Sequence, residues 1–160
     1  MSASTTSAHA SVTFSSLDDA IQGTVSFEQE TFDGATVIKG EVTGLTPGKH
    51  GLAVHVFGDL SQSGARTGGH FNPFAKNHGA PSDDERHVGS LGNIEANAEG
   101  RATFRVEDRL VKLIGPQSIV GRSLVVAKRE DDLGKGGHES SLRNGNAGEP
   151  VAWGVIGIAP

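Results

Sequence analysis

The sequence Ile21-Gln-Gly-Thr-Val-Ser-Phe27 alternates apolar residues or glycine with polar residues. Successive side chains of a β-strand point to opposite faces, so this period of two predicts a strand with one face in a core. Five further short segments are rich in apolar residues, either alternating or continuous: residues 38–42, 52–57, 102–106, 123–127 and 151–158. Glycine, proline, asparagine and aspartate separate them, and no segment of about ten residues keeps a helical period. The pattern predicts an all-β fold of about seven or eight short strands in an antiparallel sandwich or barrel.

Composition narrows the class of protein. The chain has 160 residues, the size of one domain, and a formal net charge of −5. An acidic chain has the wrong sign for a general binder of nucleic acid, and no apolar run approaches the roughly 20 residues that cross a bilayer. Cysteine is absent, which excludes disulfides, thiolate catalysis and cysteine-based zinc sites. We therefore expect no nucleic-acid partner and no membrane association.

The first residues of the chain carry little apolar surface. Residues 1–10 are mainly serine, threonine, alanine and histidine, without the basic start or apolar stretch of a secretory leader. We expect residues 1–10 to be a flexible N-terminus and residues 11–160 to form one domain. We also expect the protein to be cytoplasmic.

Two long segments show no period, residues 59–86 and 130–149. Loops of that length are uncommon in compact domains and are usually functional or disordered. The first segment holds two histidines and ends before a third, at the spacing His70-x7-His78-x8-His87. Three neutral imidazoles with one further donor make a tetrahedral zinc site, and a metal ion would pin this glycine-rich loop. Scattered loop histidines that bind no metal are the alternative.

Seven motifs carry a resemblance to a known family. They are, in order, Gly69-His-Phe-Asn-Pro-Phe-Ala-Lys-Asn-His-Gly-Ala-Pro81, Arg86-His-Val-Gly-Ser-Leu-Gly-Asn-Ile94, Ile114-Gly-Pro116, Val120-Gly-Arg122, Asp131-Asp-Leu-Gly-Lys-Gly-Gly137, Gly145-Asn-Ala-Gly148 and Gly154-Val-Ile-Gly157. In content and order they closely resemble the copper/zinc superoxide dismutase family. The resemblance implies an eight-stranded antiparallel Greek-key β-barrel, an immunoglobulin-like sandwich, with a zinc loop at residues 59–86 and an electrostatic loop at residues 130–149. It also implies disproportionation of superoxide by a copper ion that cycles between two oxidation states.

The resemblance implies a copper site of four histidines, two of which are missing here. The first copper histidine corresponds to Ala53 and the fourth to Ala127. His55 and His70 correspond to the other two, and His70 matches the histidine that bridges copper and zinc. Cu(II) prefers four donors in a tetragonal arrangement, and alanine has no donor atom. We therefore expect the copper centre to be lost, with His55 left as a remnant ligand.

The zinc half of the resemblance is better kept. The three zinc histidines of the family match residues of this chain: His70, His78 and His87. The zinc aspartate is replaced by Ser90, so water or a carboxylate of the same loop, Asp83 or Asp84, is left to supply the fourth ligand. Asp131 matches the family's aspartate that orients a zinc histidine. We expect zinc as the cofactor, and copper binding that is weak or absent.

Two further family features are absent. The arginine that guides superoxide to copper corresponds to Pro150, which follows Glu149, so a guanidinium is replaced by a ring without a donor beside a repelling carboxylate. The family's disulfide would join positions that are here Gly64 and Trp153. We expect Trp153 to substitute for the covalent link by burying its ring against the loop.

The family's dimer surface corresponds here to apolar residues and glycine: Phe57, Gly58, Val120, Gly121 and Ile158. An exposed apolar patch usually marks an interface, so we expect a homodimer or a heterodimer with a dismutase-fold protein. The leading hypothesis is a catalytically inactive dismutase-like protein that binds zinc and acts through this surface. The alternatives are residual copper-dependent dismutase activity and a docking domain like that of the family's copper chaperone.

Overall fold

The computed structural model describes residues 7–160, in which two antiparallel sheets pack face to face. Within these residues the strands are β1 (Ala8–Thr13), β2 (Gln22–Gln29), β3 (Thr36–Thr43), β4 (Gly48–His55), β5 (Ser90–Ala96), β6 (Ala102–Asp108), β7 (Ser123–Ala127), β8 (Pro150–Val155) and β9 (Gly157–Ile158). The first sheet has the order β6-β3-β2-β1-β9 and the second the order β5-β4-β7-β8. The chain crosses between the sheets after β3, β5, β6 and β8, as in a Greek-key sandwich. The all-β prediction is confirmed.

The last of the eight predicted strands is divided between the two sheets. Only Ile156, which is fully buried, separates β8 from β9. Gly157 of β9 pairs with Ser11 of β1 in the first sheet, whereas β8 pairs with β7 in the second. Near this crossing, Ser15 and Trp153 exchange backbone hydrogen bonds of 2.7 and 3.0 Å. The eight-strand pattern is therefore retained, with its final strand joining one sheet to the other.

The core lies between the sheets and follows the period of two. In β4, Leu52 and Val54 belong to the core, so the alternating residues Ala53 and His55 face the outer side of the second sheet. The same alternation in β7 turns Ala127 to that outer side, because its neighbour Val126 is in the core. The strands thus carry the predicted metal-site positions on the face that points away from the core.

Two long loops cover that outer face. Residues 56–89 connect β4 to β5 and include a 3-10 turn at Gln62–Gly64. Residues 128–149 connect β7 to β8 and include one short helix, α1 (Ser141–Asn144). These loops contain the two segments that the sequence predicts to be long and irregular. Among residues 7–160, no helix is long and apolar enough to cross a membrane.

The N-terminus differs from the expectation. Residues 8–10, predicted to be part of a flexible tail, belong to β1, where Ala10 pairs with Phe27 and is buried. The inward positions of β1 include alanine, whose small side chain gives only a weak hydrophobic period. Residues 1–6 of that predicted tail lie outside the described residues.

Candidate metal centre

The histidine-containing loop is attached to the end of β4. His55 and His70 form an isolated antiparallel bridge. Next to it the amide of Phe71 donates to the carbonyl of Val54 across 2.8 Å, and the side chain of Phe71 is buried in the core. A buried aromatic residue directly after His70 therefore fixes this histidine beside His55, the two ring centres being 5.4 Å apart.

Three imidazoles converge next to this bridge: His70, His78 and His87. One nitrogen of each lies within 4.8 Å of the others, and Nδ1 of His70 is 3.1 Å from Nδ1 of His87. In a tetrahedral site with Zn–N bonds of about 2.0 Å, two ligand nitrogens are separated by roughly 3.3 Å. The fold thus brings the three predicted zinc ligands together at close to ligand spacing.

His78 is held between two oxygen atoms. Its Nε2–H donates to Oδ1 of Asp131 at 2.7 Å, which leaves Nδ1 to accept the hydroxyl of Ser90, also at 2.7 Å. All three residues are buried. Asp131 is fixed in turn to β5, because its amide donates to Oδ1 of Asn93 at 2.7 Å. Ser90 therefore faces the lone pair of His78 at the position where the family has a zinc aspartate.

Neither nearby carboxylate takes the place of that aspartate. Oδ2 of Asp83 accepts the amide of Ala80 at 2.9 Å. Asp84 lies 3.6 Å from the guanidinium of Arg109 at the protein surface. Neither carboxylate belongs to the cluster of possible ligands found among residues 7–160. The oxygen that contacts a nitrogen of His78 on this side of the cluster is the Ser90 hydroxyl.

Burial keeps three histidines of this region neutral: His55, His70 and His87. It lowers the pKa of His55 to about 4 and, together with the charge of nearby His78, lowers the pKa of His87 to about 4. Burial also lowers the pKa of His70 well below its ordinary value, and charge on the neighbouring histidines acts in the same direction. Neutral imidazole is the form that binds a metal. At neutral pH His55, His70 and His87 therefore each carry one N–H and one nitrogen with a free lone pair.

A cavity of about 340 Å³ lies between the outer face of the second sheet and the two long loops. His55 and His70 form part of its wall. Ala53 and Ala127, the positions of the two missing copper histidines, form another part, and so does Pro150 at the position of the family's arginine. The cavity therefore has two imidazoles at its wall where the family's copper site has four.

The positions of the family's disulfide pack against each other without a covalent bond. A Cβ added to Gly64 would lie 2.8 Å from the ring of Trp153, which is 5% exposed. Gly64 also has a φ of +82°, in the left-handed region that favours glycine. Trp153 therefore seats its ring on the loop at Gly64, and any larger residue there would collide with it.

An ion pair that the sequence analysis missed anchors the same loop. Nη1 of Arg86 donates to Oδ1 of Asp108 at 2.8 Å, and both side chains are buried. The guanidinium also donates to the carbonyls of Pro81, His87 and Val88. The end of the loop that carries His87 is thereby tied to β6. Because Arg86 and Asp108 are 22 residues apart, no local sequence pattern predicts their ion pair.

The predicted dimer surface consists of Phe57, Gly58, Val120, Gly121 and Ile158. Phe57 and Ile158 are 58% and 86% exposed. Gly58 lies against the carbonyl of Gly121 and within 3.0 Å of Val155, measured from a Cβ placed on the glycine. Val155 is itself 43% exposed. Three exposed apolar side chains, Phe57, Val155 and Ile158, thus occur at or near the positions of the predicted surface.

A comparison with known families agrees with this architecture. The family model for copper/zinc superoxide dismutase (SODC) matches residues 21–156. The match runs from the start of β2 to the end of β8 and includes both long loops. Members of this family normally bind copper and zinc, and the histidine cluster lies inside the matched region. The chain belongs to the copper/zinc superoxide dismutase family.

Proposed function

We propose that this protein is a catalytically inactive member of its family, a zinc-stabilised scaffold that acts through a partner surface. The observation that carries the proposal is the cavity wall at Ala53 and Ala127, where methyl groups stand in place of two copper imidazoles. Zinc does not change oxidation state, so zinc alone does not disproportionate superoxide. The proposal includes a cytoplasmic location, since a chain without cysteine needs no oxidising compartment to form its fold.

The donors at the cavity do not fit a copper ion that cycles between oxidation states. His55 and His70 offer two imidazoles, which is half of the donor set that Cu(II) prefers. His70 also directs its Nδ1 toward His87, on the zinc side of the site. Pro150 offers no donor at the position of the family's arginine. We therefore assign no redox step to this site.

The donors of the histidine cluster fit zinc. Nδ1 of His70 and Nδ1 of His87 are already 3.1 Å apart, and Asp131 holds the ring of His78 by its far nitrogen. Water or the hydroxyl of Ser90 would complete four ligands. The three histidines are all in the loop of residues 56–89, so zinc here would cross-link that loop and stabilise the fold rather than supply catalysis.

A dismutase assay tests the catalytic half of the proposal. Protein loaded with copper and zinc should disproportionate superoxide no faster than the same concentration of free copper. His55→Ala serves as the matched control, because it removes one of the two remaining copper-side imidazoles and should leave the rate unchanged. A rate well above free copper that His55→Ala abolishes would establish the alternative, residual copper-dependent activity.

The exposed surface around Phe57 and Ile158 supports the second half of the proposal, which is pairing with a dismutase-fold subunit. We take a second copy of this chain as the first partner to test, by sedimentation at a series of concentrations. Dimers should form, and Phe57→Asp or Ile158→Asp should convert them to monomers. Leu17→Asp is the control, since Leu17 is 67% exposed but lies in the turn before β2.

The same surface also favours a docking role like that of the family's copper chaperone. Mixing this protein with an active dismutase of the family distinguishes the two. Heterodimers that form at the expense of homodimers, and that Ile158→Asp prevents, would favour docking. A chain that stays monomeric alone and in the mixture would contradict both forms of the interface proposal.

A further inference from the structure

The loop that carries the histidines pairs with itself close to them. The amide of Val56 donates to the carbonyl of Gly69 at 3.0 Å, and the amide of Phe57 donates to the carbonyl of Thr67 at 2.9 Å. We call the side with Val56 and Phe57 the first arm and the side that runs from Thr67 to His70 the second arm. The first arm therefore carries Phe57 of the predicted dimer surface, and the second carries His70 of the histidine cluster.

The aromatic ring of Phe57 lies against the second arm. A Cβ placed on Gly68 would be 3.0 Å from this ring, so the ring contacts the bare backbone of the glycine. Gly68 has a φ of +76°, in the left-handed region that favours glycine. Phe57 is nevertheless 58% exposed. The position of the second arm, two residues before His70, therefore sets the position of this exposed ring.

Arg122 joins the two arms. Its Nη1 donates to the carbonyl of Val56, on the first arm, at 3.0 Å. Its Cζ lies 3.9 Å from the centre of the ring of Phe71, the residue that follows His70. Its Nε donates to the carbonyl of Ser118 at 3.2 Å, which fixes the plane of the guanidinium. A planar guanidinium donates along its edge and stacks on a ring with its face at the same time, whereas an ammonium does not.

The backbone of Arg122 is continuous with the predicted dimer surface. Arg122 directly follows Val120 and Gly121 in the chain. Its carbonyl accepts the amide of Ile156 at 2.9 Å, two residues before Ile158. The main chain of this half-buried arginine thus adjoins the surface, while its side chain reaches the histidine loop.

We propose that Arg122 is a positioning residue that couples zinc binding at His70 to the position of Phe57 on the dimer surface. The inference rests on the proposed function, because it requires both the zinc cluster and the surface. Zinc held by His70 restrains the second arm, and the contacts of Arg122 and Gly68 pass that restraint to the first arm. Such coupling is reciprocal, so zinc tightens the dimer by the same factor by which the dimer tightens zinc.

Amide hydrogen exchange tests the coupling in the monomer, using the full chain with Ile158→Asp so that dimers do not form. Two amides are compared with zinc and with a chelator: that of Phe57, bonded to Thr67, and that of His78, which donates to the carbonyl of Leu142 at 2.7 Å. Zinc should slow exchange at both, by about tenfold at Phe57. Slower exchange at His78 with no change at Phe57 would overturn the coupling alone. No change at either amide would contradict the proposed zinc site and the coupling with it.

Arg122→Ala separates positioning from a purely structural role. In this variant zinc should still slow exchange at His78 but not at Phe57, and zinc affinity should fall about tenfold, as when a partner that orients a metal ligand is removed. Arg122→Lys keeps the charge without the planar fork and should restore only part of the effect. Arg105→Ala, at an exposed arginine of β6, is the control and should change neither. Loss of protection at both amides, with and without zinc, would show that Arg122 only stabilises the fold and would overturn the proposal.

Sedimentation of the wild type tests the reciprocal effect. The dissociation constant of the dimer should be about tenfold lower with zinc than with a chelator, and this difference should vanish in Arg122→Ala. Thermal melts show whether Arg122→Ala is folded; if it is not, Phe71→Leu replaces it, because leucine removes the aromatic face and keeps the core apolar. A wild-type dimer whose affinity does not depend on zinc would overturn the inference. A wild type that forms no dimer contradicts the proposed surface, and the exchange result then decides the coupling.

Discussion

The two halves of the histidine region share His70 and have changed in opposite ways. On the copper side, Ala53 and Ala127 present methyl groups to a cavity, and His55 is the one other imidazole of the family's set. On the zinc side, one nitrogen of each of three imidazoles lies within 4.8 Å of the others. Ser90 and Asp131 still hold His78 from both ends. Two of the four copper-histidine positions are alanine, whereas one of the four zinc-ligand positions is serine.

The backbone explains how one half could change alone. Ala53 and Ala127 lie on the outer face of their strands, while their neighbours Val54 and Val126 are in the core. A side chain on the outer face can lose its donor without disturbing the packing between the sheets. The zinc-side residues also hold a loop in place, so their loss would cost stability.

Restoring the missing donors should remove the difference between the halves. In the double variant Ala53→His/Ala127→His, four imidazoles would line the cavity. Removing a residue that only hydrogen-bonds to a metal ligand costs up to ~100-fold in metal affinity. Each added histidine is itself a ligand and should contribute at least as much, so the two together should raise copper affinity by roughly 10,000-fold. Competition with a copper chelator measures this rise. A double variant that is folded yet binds copper no better than the wild type would mean that the cavity is not the lost copper site.

Breaking the anchor of the zinc-side loop should cost the most stability. Arg86→Ala leaves the carboxylate of Asp108 buried without its partner, which typically costs about 3–5 kcal/mol of unfolding free energy. Arg101→Ala is the matched control, because the pair of Arg101 and Glu41 is exposed and should contribute less than about 1 kcal/mol. Urea denaturation measures both. Equal losses in the two variants would contradict the anchoring role.

Acid should weaken the metal-free protein through its buried histidines. The pKa of His55 is about 4 in the folded chain against an ordinary 6.5. Between these values the unfolded chain binds more protons, so the unfolding free energy is full above pH 6.5 and falls as the pH drops toward 4. His55 alone should account for a loss on the order of 3 kcal/mol. Urea unfolding at a series of pH values measures the loss.

The variant His55→Gln separates this contribution from that of the zinc-side histidines. It removes the titrating group of the copper side while His70 and His87 remain. The pH dependence in the metal-free state should become shallower but should not vanish. An unchanged slope would show that the pKa of His55 is the same in the folded and the unfolded chain.

Returning a carboxylate to the zinc side should have the smallest effect of the four. Ser90→Asp puts an anionic donor next to Nδ1 of His78, which the hydroxyl now contacts at 2.7 Å. Zinc affinity should increase by about 10–100-fold, measured by competition with a zinc chelator. Ser61→Asp, in the exposed part of the same loop, is the control for the added negative charge alone. Equal effects at the two positions would indicate general electrostatic attraction.

Much of the fold could be predicted, because the alternation of apolar residues marks strands and the long irregular segments mark loops. The alternation in residues 21–27 identifies β2, and the two long irregular segments identify the loops that hold the site. Strand β5 could not be predicted in this way, because nearly every residue from Ser90 to Ala96 is buried and the burial does not alternate along the strand. Strand β1 could not be predicted either, because its alanines contribute too little to the alternation of apolar and polar residues.

The candidate site was predictable in its residues but not in its contacts. The spacing of His70, His78 and His87 selects the cluster, since all three belong to one loop. The buried ion pair of Arg86 with Asp108 could not be predicted, because it depends on a partner that only the folded chain brings near. Long-range hydrogen bonds leave no local trace in a sequence.

The number of metal ions per chain, measured by elemental mass spectrometry, tests the central claim most directly. The protein is loaded with copper and zinc together and then dialysed exhaustively. Our account predicts about one zinc per chain, held by the three histidines, and no retained copper. A full equivalent of tightly held copper in the wild-type chain would contradict it, because it would show that His55 and His70 suffice where the family uses four histidines.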